Sequence, residues 1–190
     1  MTALEPYPRL GEAVRSRVQG QDPESSPARA ARWIAEVAGA SLRGVIFFGS
    51  RKTQAGPDGW SAHDFFLLPA GYPDFYRALR ARGLQTRSPA LLAALNRILP
   101  PNQIALTPAL GGEVAFRAKC AVITLDRLVR ETSHRRRDHF CAGRLFQPTE
   151  LLFASDDLAR EDILDALVSA HALTFTWIRP WLGPRFDVET

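Results

Sequence analysis

Apolar residues follow two different rhythms along this chain. Val45–Phe48 ("VIFF") and Asp64–Pro69 ("DFFLLP") are continuous apolar runs separated by a loop rich in Gly, Pro and Asp. Runs of that kind read as strands buried on both faces. "PARAARWIAEVAGASLRG" instead sets Ala31, Ile34, Val37 and Ala38 at helical spacing, with Ser26 or Pro27 to start the helix. A second helix is expected over "PDFYRALRARGL", carrying Phe75 and Leu79 and stopped by Gly83. A third, over "SPALLAALNRILPP", starts at Ser88-Pro89 and ends at the double proline.

Two more apolar runs follow, "QIAL" (Gln103–Leu106) and the long "EVAFRAKCAVITL" (Glu113–Leu125), which is expected as one strand pairing with the first across "TPALGG". Helical segments close the chain: "LDRLVRET", "RRDHFCAGRLF" and "REDILDALVSAHALTFTWIRPWL". The order predicts an α+β fold, a small mixed sheet with helices gathered at one side and a helical C-terminal part. Residues 1–26 read as a polar, loosely attached lead-in, 27–128 as the core and 129–190 as the helical part.

Composition narrows the setting. The chain has 190 residues, 46% hydrophobic and 23% charged, as an ordinary globule does. It lacks the roughly 18 to 20 consecutive apolar residues of a membrane span, and its N-terminal stretch lacks a signal-peptide core. The expectation is a cytoplasmic protein. Cys120 and Cys141 are the only cysteines and form no CxxC pair, which disfavours a structural metal or disulfide framework. The net charge of +4 rests almost wholly on arginine, with Lys52 and Lys119 the only lysines.

The chemistry concentrates where the first strand ends. Gly49 lets the backbone approach a ligand closely, and Ser50 adds a hydroxyl and an amide to a turn that can cradle phosphate. Asp64, starting the next strand, can hold Mg²⁺ that bridges phosphates. A hairpin with a capping Asp explains the same residues equally well. Strand, Gly-Ser, loop, then strand with an acid resembles the nucleotidyltransferase fold related to DNA polymerase β. That pattern carries Asp-x-Asp, whereas Ala62 here fills the first place. A second metal ligand would come from Asp58 in the loop or from Glu113.

Two later stretches, "RAKCAVITLDRL" (Arg117–Leu128) and "DHFCAGRLFQPTELL" (Asp138–Leu152), follow this unit in order. With it they resemble the mitochondrial-type phosphatidate cytidylyltransferases, the translocator assembly and maintenance family. The resemblance runs from Val45 to Leu152 and departs at Gln147, where relatives carry a basic residue. It implies Gly49 and Ser50 at a triphosphate, Asp64 at the metal, Lys119 near the phosphates, and Gly143 with Arg144 lining the cleft. Lys52, just past the Gly-Ser turn, is a further phosphate contact in reach. Lys119, inside an apolar strand, is expected to snorkel or meet an anion. His63 adjoins Asp64 but points to the opposite strand face, which favours a structural role.

The resemblance implies transfer of CMP from CTP to phosphatidic acid, with Mg²⁺ as cofactor and CDP-diacylglycerol and pyrophosphate as products. The alternatives keep the fold with a soluble phosphate, protein or RNA acceptor, or keep nucleotide binding without catalysis. "HRRRDH" and "FTWIRPWLGPRF" read first as a solvated face and as core or dimer packing. Peripheral contact at the inner face of a membrane is the sharper reading of both.

Overall fold

The computed structural model describes residues 8–18, 22–49, 62–107, 109–110, 113–114, 116–178 and 181. In chain order the helices are α1 Pro8–Val18, α2 Ser26–Ala38, α3 Tyr72–Ala81, α4 Pro89–Ile98, α5 Leu125–Glu131, α6 Phe140–Phe146 and α7 Asp157–Ile178. The strands are β1 Leu42–Phe48, β2 His63–Pro69, β3 Asn102–Leu106, β4 Ala109–Leu110, β5 Glu113–Val114, β6 Ala118–Val122 and β7 Glu150–Ala154. Five of them form a mixed sheet in the order β3-β6-β2-β1-β7. Only β2 and β6 run parallel; the other neighbours are antiparallel. The fold is mixed α+β.

Strand apolarity explains the layering. In β1 and β2 every residue from Gly44 to Phe48 and from Phe65 to Pro69 is buried, so both faces of the sheet need cover. Val45, Phe47, Phe65, Leu67, Cys120 and Val122 pack with residues of α2, α3 and α4. Ile46, Phe48, Phe66, Leu68 and Ala121 pack on the other face with α1, α5, α6 and α7. Helices therefore lie on both faces, which corrects the expectation of helices at one side. Two-sided burial and one-sided cover are incompatible.

Other expectations change in detail. Helix α2 starts at Ser26, one of the two expected starts, and Ser25 caps it, its side chain accepting from the Ala28 N–H. Gly83, at φ 70°, stops α3 as expected, with the Leu84 N–H donating to the Leu79 carbonyl at 3.0 Å. The long strand divides: β5 pairs with β4 in a separate ladder, and only β6 joins the sheet against the five residues of β3. β7 pairs with β1, so the sheet draws on both the 27–128 and the 129–190 segments. Residues 8–18 are not a loose lead-in. Val14 and Val18 lie in the core beside α7, and Arg15 bridges Glu161 and Asp165 of that helix.

A buried polar network fixes β6 against α3 and α4. The Tyr76 hydroxyl donates to the Asn96 amide oxygen, and Asn96 Nδ2 donates to the Val122 carbonyl at 2.6 Å. Burial pushes the Tyr76 hydroxyl up to about 12, so it stays a donor through neutral pH. Asn96 is fully buried, and losing its amide takes the acceptor from the Tyr76 hydroxyl and a donor from the Val122 carbonyl. Asn96→Ala is expected to lower stability by about 1 to 3 kcal/mol in urea denaturation.

Candidate active site

Strand register assembles the site. Phe48 is opposite Asp64 across β1 and β2, Asp64 is opposite Lys119 across β2 and β6, and Lys119 is opposite Ala105 of β3. These four residues make one row across the end of the sheet. Residues in one row share a face, and here it is the face that packs against α5, α6 and α7. Helix α6 anchors itself there through Cys141, Ala142 and Leu145, which are buried. Phe140 and Arg144, one helical turn apart, are left on the side toward the row. The Arg144 guanidinium lies 5.8 Å from the centre of the Phe140 ring. Phe140 in turn meets Phe66, which stacks on Phe48 at 4.8 Å between ring centres.

The result is a cleft of about 320 Å³ lined by Phe48, Asp64, Gln103, Lys119, Phe140 and Arg144, with Cys120 and Ala121 at its wall. Its floor is aromatic and its polar groups are one carboxylate, two cations and one amide. Burial raises the Asp64 pKa above its ordinary 3.8, opposed by the nearby charges of Lys119 and Arg144. Burial, with a smaller contribution from Asp64, also raises the Cys120 thiol, which is therefore no thiolate nucleophile at neutral pH.

Gly49 closes the site from β1. Its φ is +100°, a conformation that side chains rarely adopt, and a Cβ there would stand 2.7 Å from Asp64 Oδ2. Glycine is thus needed twice, for the backbone angle and for the room that the carboxylate occupies. Gly143, by contrast, faces open space.

No family model matches this chain, and no curated protein matches it in sequence.

Of the residues expected from sequence, Gly49, Asp64, Lys119 and Arg144 come together at this cleft. Lys119 is exposed. Its strand is buried on the Cys120 face, but the Lys119 face opens into the cleft. Ser50, Lys52 and Asp58 lie outside the described residues, and Glu113 is described through its backbone alone, in β5 opposite Leu110. Among the described residues no group of three or more His, Cys, Asp or Glu could hold a metal ion. His63 faces away from Asp64, is buried, and bonds Ser26 Oγ through Nε2 at 2.9 Å, which fits a structural role. Within "HRRRDH", His139 stacks on Trp177 at 5.1 Å between ring centres.

Sequence reasoning missed Gln103 and Phe140. Period-two burial in β3, with Ile104 and Leu106 inside and Gln103 and Ala105 outside, is the signal for the first. Spacing of four from Arg144 is the signal for the second.

Proposed function

We propose that this chain is a nucleotidyltransferase with a polymerase-β-like core, moving CMP from CTP to phosphatidic acid to give CDP-diacylglycerol and pyrophosphate. One observation carries the reading. Gly49 and Asp64, Lys119, and Arg144 come from the three stretches of sequence that together carry the family resemblance, and they meet at a single cleft. A hairpin with a capping Asp gives no reason for Lys119 and Arg144 to converge on that Asp.

The chemistry follows from charge. An acceptor phosphate oxygen attacks the α-phosphorus of CTP in line; a new P–O bond forms, and the bond to the pyrophosphate oxygen breaks. The acceptor is already an anion, so no general base is required, in keeping with a cleft whose described side chains include no histidine. Lys119 and Arg144 hold phosphate oxygens and offset the charge that develops on the leaving pyrophosphate. The aromatic floor of Phe48 and Phe140 excludes water from one side of the cleft.

Asp64 would hold one Mg²⁺, an ion that commonly takes only one or two carboxylates from the protein. A paired-acid, two-metal arrangement does not fit the described residues, because Ala62 stands in the first acid position; Glu113 is the residue proposed as a further ligand. When bound, Mg²⁺ would supply charge neutralisation at the triphosphate.

The test is Mg²⁺-dependent pyrophosphate release from each nucleoside triphosphate, with and without phosphatidic acid. Release from CTP only with the lipid supports the proposal. Release with a soluble phosphate, protein or RNA acceptor moves the substrate class, and nucleotide binding without turnover makes the chain a binding module.

The lysines give a sharper test of the site. Lys119→Ala is expected to weaken CTP binding by roughly tenfold, the scale of one charge-assisted hydrogen bond at a partly open site. Lys52→Ala is expected to cost less, because its sequence neighbours are polar. Stability should be unchanged in Lys119→Ala, because the side chain is exposed. A larger loss at Lys52 in calorimetry would transfer the phosphate-holding role to the loop.

A further inference from the structure

The chain's charge excess is not spread evenly. Between Ala70 and Pro101 there are five arginines, Arg77, Arg80, Arg82, Arg87 and Arg97, against a single acid, Asp74. That difference equals the whole formal net charge of +4, so the remainder of the chain is balanced. All five arginines are exposed. Arg77 bridges Asp74, one turn away on α3. No ion pair involving Arg80, Arg82, Arg87 or Arg97 occurs among the described residues.

The same hairpin carries an apolar stripe. Leu91, Leu95 and Ile98 recur at i, i+4 and i+7 on α4, 53%, 37% and 65% exposed, and Leu99 follows at 72%. The inward side of α4 is already satisfied by Leu92, Ala93 and Asn96, which are buried. The outward leucines and isoleucine therefore have no role in the core. A cluster of exposed aliphatics marks a contact surface in a way that single ones do not.

We propose that the α3–α4 hairpin is a docking face for an anionic bilayer surface. A second copy of the chain is disfavoured because the arginines would meet their own like charges. An acidic protein is disfavoured because Leu91, Ile98 and Leu99, all more than half exposed, ask for an apolar environment that a carboxylate-rich surface does not supply. A bilayer asks for neither complementarity of shape nor directed bonds. Aliphatic side chains enter the headgroup boundary, and flanking arginines reach the anionic headgroups with their long stems. Association is peripheral, since no described helix is long and apolar enough to cross a membrane. The proposal rests on charge and exposure and stands apart from the nucleotidyl-transfer reading, although a bilayer would also present the acceptor proposed above.

The experiment is co-sedimentation of the full chain, without nucleotide, with vesicles of phosphatidylcholine alone or mixed with phosphatidylglycerol. The wild type is expected to bind the mixed vesicles and to release as salt rises. Leu95→Ser with Ile98→Ser should weaken binding by about tenfold or more. Arg80→Gln, Arg82→Gln and Arg87→Gln together should weaken it by about fivefold for each arginine removed. These side chains are all exposed, and circular dichroism checks that each variant keeps its fold. Variants that bind as the wild type does overturn the proposal. So does loss confined to a Trp177→Ser control, which would assign contact to the end of α7. A wild type that ignores both vesicles overturns it. A shift in molecular mass by light scattering in the Leu95 and Ile98 variant, with vesicle binding unchanged, makes the face a self-association surface instead.

Discussion

Asp64→Asn is expected to abolish Mg²⁺-dependent turnover while leaving the protein folded. Asp64 is the only carboxylate lining the cleft among the described residues, and it stands beside both cations of the site. Loss of one preorganised charge at a reacting phosphate costs about 100- to 1,000-fold in turnover. The fold should survive, because asparagine keeps the shape and the side chain sits near the start of the central strand, only half-buried. The stability effect has a definite sign. Burial raises the Asp64 pKa, so the folded chain holds this proton more tightly than the unfolded chain does. Stability therefore falls as pH rises from the ordinary 3.8 through the raised value, and stays lower above it. The asparagine variant lacks that fall. Denaturation at pH 7 should find it at least as stable as the wild type, with the advantage shrinking toward pH 3. Full activity in a folded Asp64→Asn protein would remove this residue from the chemistry.

How much of this was legible in sequence depended on the physical signal at each element. The runs of β1 and β2 announce themselves, because only strands buried on both faces sustain such apolarity over so few residues. β7 gave no such signal. "ELLFA" follows "AGRLFQP" closely, and a short apolar run reads equally as strand or helix. Helix α1 was missed for another reason. Its apolar positions Leu10, Val14 and Val18 form a single narrow line among arginines and a glycine, and what holds it is partly Arg15 pairing with α7, a contact remote in sequence.

The site divides in the same way. Residue types flagged Gly49, Asp64, Lys119 and Arg144 as chemically able. What sequence could not give was the register that sets Asp64 beside Lys119, because a parallel pair is joined through a crossover rather than a turn. It also hid the exposure of Lys119. The apolar letters around it describe the Cys120 face and the ends of the strand, whereas its own face at that row borders the cleft.

Gly49→Val is the second large effect, and it tests the turn itself. Two penalties combine there. A φ of +100° strains any residue with a Cβ, at about 1 to 3 kcal/mol. The Cβ would also lie 2.7 Å from Asp64 Oδ2, too near for either atom to stay. Asp64 would then be pushed out of the row it shares with Lys119, and the branched side chain would fill the space a phosphate needs beside it. CTP binding by calorimetry should fall below detection, together with a drop in melting temperature from the strain. Unchanged CTP affinity would show the turn to be only a turn. Strain and displacement can be separated by repeating the substitution as Gly49→Ala in an Asp64→Ala background. There the carboxylate is gone and the 2.7 Å clash with it, so the stability loss should shrink toward that of the backbone strain and the remaining 3.3 Å contact with the position-64 Cβ. If the loss is the same in both backgrounds, the backbone angle and not the carboxylate is what fixes glycine at this position. Failure of the two stability effects to add would instead mark Gly49 and Asp64 as one unit.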